Sequence, residues 1–316
     1  MLQIVIWTVL LGIALFILVR GAELFVDGAK EVGVALGMSH FAIGVIIVGF
    51  GTSLPELAAS IAAVIHGTNE IVAASIIGSN VTNILFITGI LAALGGRIVI
   101  QRDLIKSELP VFFIATMMFF LVVLDQWIDR MEALLLLGTF AAYLWYLFVE
   151  GRKQDSIELT EPGRHRRRVQ VKSVVFIVLG MIAILVGAKY SVDMITNIAT
   201  ALKVPIDVIS ILAIAVGTSL PEVFVSFQAL RVGNAELAVG NIFGSNTFNF
   251  LVVGGLSGIL TPLKVGAVAM SVGIPVLIAA SIILFVSGLA KRVMQWEGFM
   301  MLIFFVFFLI KVVQSI

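Results

Sequence analysis

The 316-residue chain contains no cysteine, and only three of its residues are histidine. Disulfides and thiolate metal sites are thereby excluded, and the scattered histidines argue against a zinc site. Charge is also scarce: Asp, Glu, Lys and Arg make up 12% of the residues, most of them between apolar runs, while 60% are hydrophobic and the mean hydropathy is +1.16. A soluble domain does not carry that balance. Apart from one short basic run, Arg164 to Arg168, nothing supports nucleic-acid binding, and that run reads as a topology anchor and anionic-lipid contact.

What is present in quantity is the long apolar segment. Runs of roughly 18–25 residues, each able to cross a bilayer, fall at about 2–27, 41–65, 70–95, 108–125, 131–149, 173–197, 206–230, 236–260, 266–288 and 296–314. The expectation is an all-α polytopic membrane protein of ten transmembrane helices, its first run a retained helix rather than a cleaved signal. The expected organisation is a first five-helix repeat over 1–150, a linker over 151–172 and a second repeat over 173–316. Fourteen Lys and Arg fall in the loops on the side of the central linker, against four on the side of the termini. The positive-inside bias therefore puts the linker in the cytoplasm and both termini outside.

The two halves are copies. Gly51-Thr52-Ser53-Leu54-Pro55-Glu56 recurs letter for letter as Gly217-Thr218-Ser219-Leu220-Pro221-Glu222. The same shift of 166 carries Gly21-Ala22 onto Gly187-Ala188, Gly78-Ser79-Asn80 onto Gly244-Ser245-Asn246, and Asn83 onto Asn249. With five helices per unit, the second must enter the membrane the other way up. Inverted repeats place equivalent helix breaks near one another at the bilayer midplane, where secondary transporters bind their substrates.

Each hexapeptide puts a proline and a carboxylate inside an apolar run. Proline frees a helical carbonyl four residues back, and a charge at mid-membrane costs at least ~2.5–3.5 kcal/mol. An unpaired glutamate has no structural reason to sit there. Thr52, Ser53 and Glu56 share a helical face if the helix resumes at this point, as do Thr218, Ser219 and Glu222; Ser79 with Asn83 and Ser245 with Asn249 are spaced four apart. Two carboxylates, two amides, hydroxyls and freed carbonyls form an all-oxygen set suited to calcium, and sodium can use a subset. Serine and threonine hydroxyls also bond the preceding turn or join helices, so each of them alone is equally well a packing group. Of the remaining ionisable residues, spacing favours Arg20–Glu23 and Lys189–Asp193 pairs. An intramembrane hydrolase using Ser53 or Ser219 lacks a basic partner, so no enzyme is expected.

These paired motifs resemble the cation/calcium antiporter superfamily, and within it the sodium/calcium exchanger-like branch of bacteria and archaea. The resemblance covers nearly the whole chain, and Gly240-Asn241 before Gly244-Ser245-Asn246 belongs to it. It implies ten helices with inverted halves and a central cluster of cation sites, with Ca2+ and Na+ as transported substrates. It implies no cofactor and no obligate protein partner. By the resemblance, Glu56 and Glu222 hold calcium with carbonyls of Thr52 and Thr218. One sodium site uses Ser79, Ser219, Glu222 and the Ala215 carbonyl; its mirror uses Ser53, Glu56, Ser245 and the Gly49 carbonyl. Asn83 and Asn249 complete a central diamond, and the first and sixth helices slide across the core. Some relatives carry aspartate at the place of Asn249, potassium-coupled ones included, so its absence argues for potassium-independent exchange. The expected function is electrogenic Na+/Ca2+ exchange by alternating access, with Ca2+/H+ exchange through the same glutamates as the alternative.

Overall fold

The computed structural model describes residues 2–100, 108–158, 169–202 and 217–315. Among them the chain runs through ten helical segments: α1 Leu2–Ala35, α2 His40–Ile65, α3 Asn69–Gly95, α4 Glu108–Val122, α5 Arg130–Glu158, α6 Val171–Ala201, α7 Leu220–Arg231, α8 Ala235–Leu260, α9 Ala269–Ala290 and α10 Gln295–Gln314. Seven of these are long and apolar enough to cross a membrane, and α4 is a shorter apolar helix. The protein is therefore an all-α, multi-pass membrane protein. Helix α1 extends eight residues beyond the run that hydropathy marks. Helix α5 continues to Glu158, into the segment read as linker. The basic run Arg164 to Arg168 and the start of the 206–230 run lie outside the described residues.

Local chemistry sets the boundaries. Ser39 caps α2 by accepting the Ala42 amide at 3.2 Å. Gly67 and Gly233, 166 apart, turn the chain out of α2 and α7 at φ +75° and +76°, where a side chain would be strained. The repeat is also visible where the halves meet. Short strands β1 (Arg97–Val99), β2 (Trp127–Ile128), β3 (Leu263–Lys264) and β4 (Arg292–Met294) form two antiparallel ribbons, β1 with β4 and β2 with β3. Arg97 faces Met294 and Ile128 faces Leu263; the 166 shift carries the first pair onto the second. Each half thus donates one strand to each ribbon, as two-fold-related halves must.

The layers follow from burial. Every residue of α8 from Leu237 to Phe248 is buried, so this helix lies at the centre. It packs on the first part of α2 through glycines: a Cβ on Gly49 would sit 2.9 Å from the Gly244 Cα, and one on Gly244 would sit 2.8 Å from the Val45 Cα. Helices α1 and α6, apolar and mostly exposed, pack on each other outside this core. Gly21 and Gly180 of that pair oppose backbone on the partner helix, and Gly187 meets Leu18. In a membrane, where apolar burial between helices gains little, such close backbone approach is what dispersion favours.

One expected ion pair forms and one does not. Arg20 Nη1 meets Glu23 Oε2 at 2.8 Å, and Glu23 also reaches Arg231 at 3.5 Å. Lys189 and Asp193 form no ion pair, contrary to the spacing; both side chains are exposed, and long exposed side chains lose more entropy than a screened pair returns.

Candidate functional site

Helix α2 is interrupted twice. Residues Ile43–Gly49 form wide π turns, and at Ser53 the backbone leaves helical geometry (φ −89°, ψ 1°) before helix resumes at Leu54. Pro55 then occupies the first turn of the new segment, where its missing N–H costs nothing. Ser219 has nearly the same dihedrals (φ −89°, ψ 5°), with Pro221 in the first turn of α7. Repeated sequence has produced repeated breaks. Glu56 and Glu222 fall in the first turn after each break, where the helix N-terminus favours negative charge.

Both glutamates are buried, at 3% and 1% exposure, and each is within electrostatic reach of the other. Neither forms an ion pair among the described residues, and the oxygens Glu56 Oε1, Glu56 Oε2 and Glu222 Oε2 have no hydrogen-bond partner. The remaining oxygen, Glu222 Oε1, accepts from Ser53 Oγ at 3.3 Å. Unpartnered buried carboxylate oxygens are costly, so a site built this way calls for a cationic guest.

Further oxygens, from both halves, are buried in the same breaks and in α3 and α8. Thr52, Ser53, Ser219 and Ser245 are fully buried, Ser79, Asn83 and Asn249 nearly so, and Thr218 partly. Across the halves, Ser245 Oγ donates to the Gly49 carbonyl at 3.2 Å, Thr52 Oγ1 and Ser245 Oγ lie 3.4 Å apart, and Ser79 Oγ and Thr218 Oγ1 lie 3.3 Å apart. The two hydroxyl–hydroxyl separations are long for hydrogen bonds. They match the spacing of neighbouring ligands around one ion: six oxygens at 2.3–2.6 Å stand about 3.3–3.7 Å from each other. Ser219 Oγ, Asn83 Oδ1 and both polar atoms of the Asn249 side chain are buried without partners. Ala215 lies outside the described residues.

The Gly49 carbonyl also accepts from the Ser53 amide at 3.3 Å and from Thr52 Oγ1 at 3.4 Å, so it sits inside the polar cluster rather than at its edge. Asn83 lies in the π turn Thr82–Ile87 and Asn249 opens the π turn Asn249–Val253, equivalent places in α3 and α8. Wide turns of this kind concentrate at functional sites, because they release a backbone group from the helical ladder. Nothing in the residue pattern announces them. The sequence reading names Asn241 only as part of the motif, with no role at the site, and does not single out Ser226. Asn241 Oδ1 accepts from Thr52 Oγ1 at 3.1 Å, and its Nδ2 donates to Ser226 Oγ at 2.7 Å. The signal for Asn241 was present, since it stands in the repeated motif where the first half has Ser75.

Among the described residues no group of three or more His, Cys, Asp or Glu forms, which leaves the two glutamates as the acidic centre. The donor set is oxygen throughout. It suits a hard cation bound, released and bound again.

A family model described as "Sodium/calcium exchanger protein" matches residues 6–149 and again residues 172–314. Among curated proteins, sodium/calcium exchanger MaX1 of Methanosarcina acetivorans is 32% identical over 339 aligned residues, spanning 95% of this chain and 97% of its own. Inner membrane protein YrbG of Escherichia coli is 34% identical over 284 residues, spanning 87% of this chain and 86% of its own. Among solved structures, the sodium-calcium exchanger NCX_Mj soaked with 100 mM Na+ and 10 mM Sr2+ superposes with a TM-score of 0.81 at 26% identity, covering 96% of this chain and 97% of that one.

Proposed function

The chain belongs to the sodium/calcium exchanger protein family, whose members are membrane transporters and not enzymes, and on that premise we propose that it exchanges Na+ for Ca2+ by alternating access. The observation that carries this reading is the pair of buried glutamates without cationic partners, delivered by equivalent breaks in the two halves. Calcium is held between Glu56 and Glu222, with backbone carbonyls of Thr52 and Thr218. Sodium uses the two mirror-related sets: Ser79, Ser219, Glu222 and the Ala215 carbonyl, and Ser53, Glu56, Ser245 and the Gly49 carbonyl. The contact of Ser245 with the Gly49 carbonyl supports the second grouping. Asn83 and Asn249 complete the centre.

Charge explains why the two loads compete. Two carboxylates are neutralised by one calcium ion or by two sodium ions, so both draw on the same anionic field. A third sodium makes the sodium-loaded state net positive and the cycle electrogenic, coupled to voltage at ~2.3 kcal/mol per charge per 100 mV. The neutral Asn249 leaves the centre with two acidic groups, in keeping with potassium-independent exchange. Both termini lie outside the cell and the central linker in the cytoplasm.

Calcium-45 flux in reconstituted vesicles tests the coupling. Uptake is expected only against an opposing sodium gradient. Uptake that ignores sodium and follows a pH gradient instead would establish the Ca2+/H+ alternative, in which each glutamate carries a proton or the ion.

A further inference from the structure

Asn241 is fully buried on α8, one turn before Ser245, and uses its whole hydrogen-bonding capacity. Its Nδ2 donates to the Glu222 carbonyl at 3.4 Å and to Ser226 Oγ at 2.7 Å; its Oδ1 receives Thr52 Oγ1 at 3.1 Å and Ser245 Oγ at 3.4 Å. The Glu222 carbonyl can only accept, which fixes the orientation of the amide: Nδ2 must face Glu222 and Oδ1 must face the two hydroxyls. A hydroxyl has one proton. With Asn241 Oδ1 and the Gly49 carbonyl as acceptors, the protons of Thr52 and Ser245 are directed into the protein and their lone pairs are left for a cation.

The amide is missing from the mirror place. The 166 shift puts Ser75 at the place of Asn241 and Ser60 at that of Ser226. The hydroxyl pair itself persists, as Ser79 with Thr218 at 3.3 Å. Ser75, however, offers no amide, is only half-buried, and bonds neither of them. Two sites drawn alike by the repeat therefore differ in the side chain that stands behind their hydroxyls, an amide in one and a serine in the other.

We propose that Asn241 is a positioning residue that holds the Thr52 and Ser245 hydroxyls and so presets Ser245 for sodium, making the two mirror-related sodium sites non-equivalent. The inference rests on the sodium reading above and goes beyond it by assigning a residue outside the ligand set. Sodium depends on neutral oxygens for most of its shell, so it gains most from hydroxyls already turned toward it. Calcium, held chiefly by carboxylates, gains little.

The test is equilibrium calcium-45 binding to the purified protein, with and without competing sodium, for the unmutated chain, Asn241→Ser and Ser226→Ala. Asn241→Ser copies the sister half. It should raise the sodium concentration for half-maximal competition about tenfold, the worth of about one hydrogen bond. The Hill slope for sodium should fall, while calcium affinity without sodium changes less than about twofold. Ser226→Ala loosens the amide without touching a ligand hydroxyl, is close to isosteric, and should give the same selective shift at about threefold. It decides the matter if Asn241→Ser does not fold. Equal loss of sodium and calcium affinity, or no shift in either, overturns the proposal. Absence of sodium competition in the unmutated protein overturns the sodium reading and this inference with it, whereas competition untouched by both variants overturns this inference alone.

Discussion

Ser53, at the break in the first half, donates its hydroxyl to Oε1 of Glu222, in the first turn after the break in the second, at 3.3 Å. The two breaks therefore adjoin, and an acid from one half is in contact with a hydroxyl from the other. If the acids act together on one divalent ion, neutralising either removes half the field. Glu56→Gln and Glu222→Gln should each abolish calcium transport in vesicles while expression, membrane insertion and thermal unfolding remain near those of the unmutated protein. Retention of full transport by either variant would remove that glutamate from the site.

Asn249 is buried, and its amide atoms have no partner. Asn249→Asp adds a third buried acid to two that form no ion pair among the described residues. Mutual repulsion disfavours ionisation of all three at once. The variant should show a changed cation preference and a transport optimum moved to another pH, measured as calcium-45 uptake against panels of competing cations across pH. Identical selectivity would mean that position 249 does not face the ion.

Where the first part of α2 crosses α8, an added methyl group meets backbone. Gly244→Ala sets a Cβ 2.8 Å from the Val45 Cα, and Gly49→Ala sets one 2.9 Å from the Gly244 Cα and the Ser245 amide; in both cases backbone must move. Each should lower stability by about 1–3 kcal/mol, read as a lower unfolding midpoint in detergent. Gly12→Ala on α1, where nothing stands within 4 Å, should stay within ~0.5 kcal/mol of the unmutated protein.

Orientation can be tested cleanly because the chain has no cysteine of its own. Ser315→Cys should react with a membrane-impermeant maleimide added to intact cells, and Ser156→Cys only after the membrane is opened. The opposite pattern would reverse the proposed topology.

Much of this was legible in the residues, for identifiable reasons. Glu56 and Glu222 stand out because a charge in an apolar run has few explanations, and Pro55 and Pro221 mark the breaks because proline cannot donate. The 166 shift exposes the pairing of halves, and the β ribbons obey it in register. What stayed hidden depends on packing across helices. The π turns at Asn83 and Asn249 carry no mark in local propensity. The role of Asn241 needs Thr52 and Glu222 brought to it from α2 and α7. Spacing alone misjudged Lys189 and Asp193, which sit at pairing distance in sequence yet stay exposed and apart.

Strontium or calcium anomalous density, collected from crystals with and without competing sodium, tests the central claim most directly. The account predicts one divalent peak between the carboxylates of Glu56 and Glu222, at about 2.3–2.6 Å from oxygens of each, that fades as sodium rises. A peak held by one glutamate alone, or one indifferent to sodium, would contradict it.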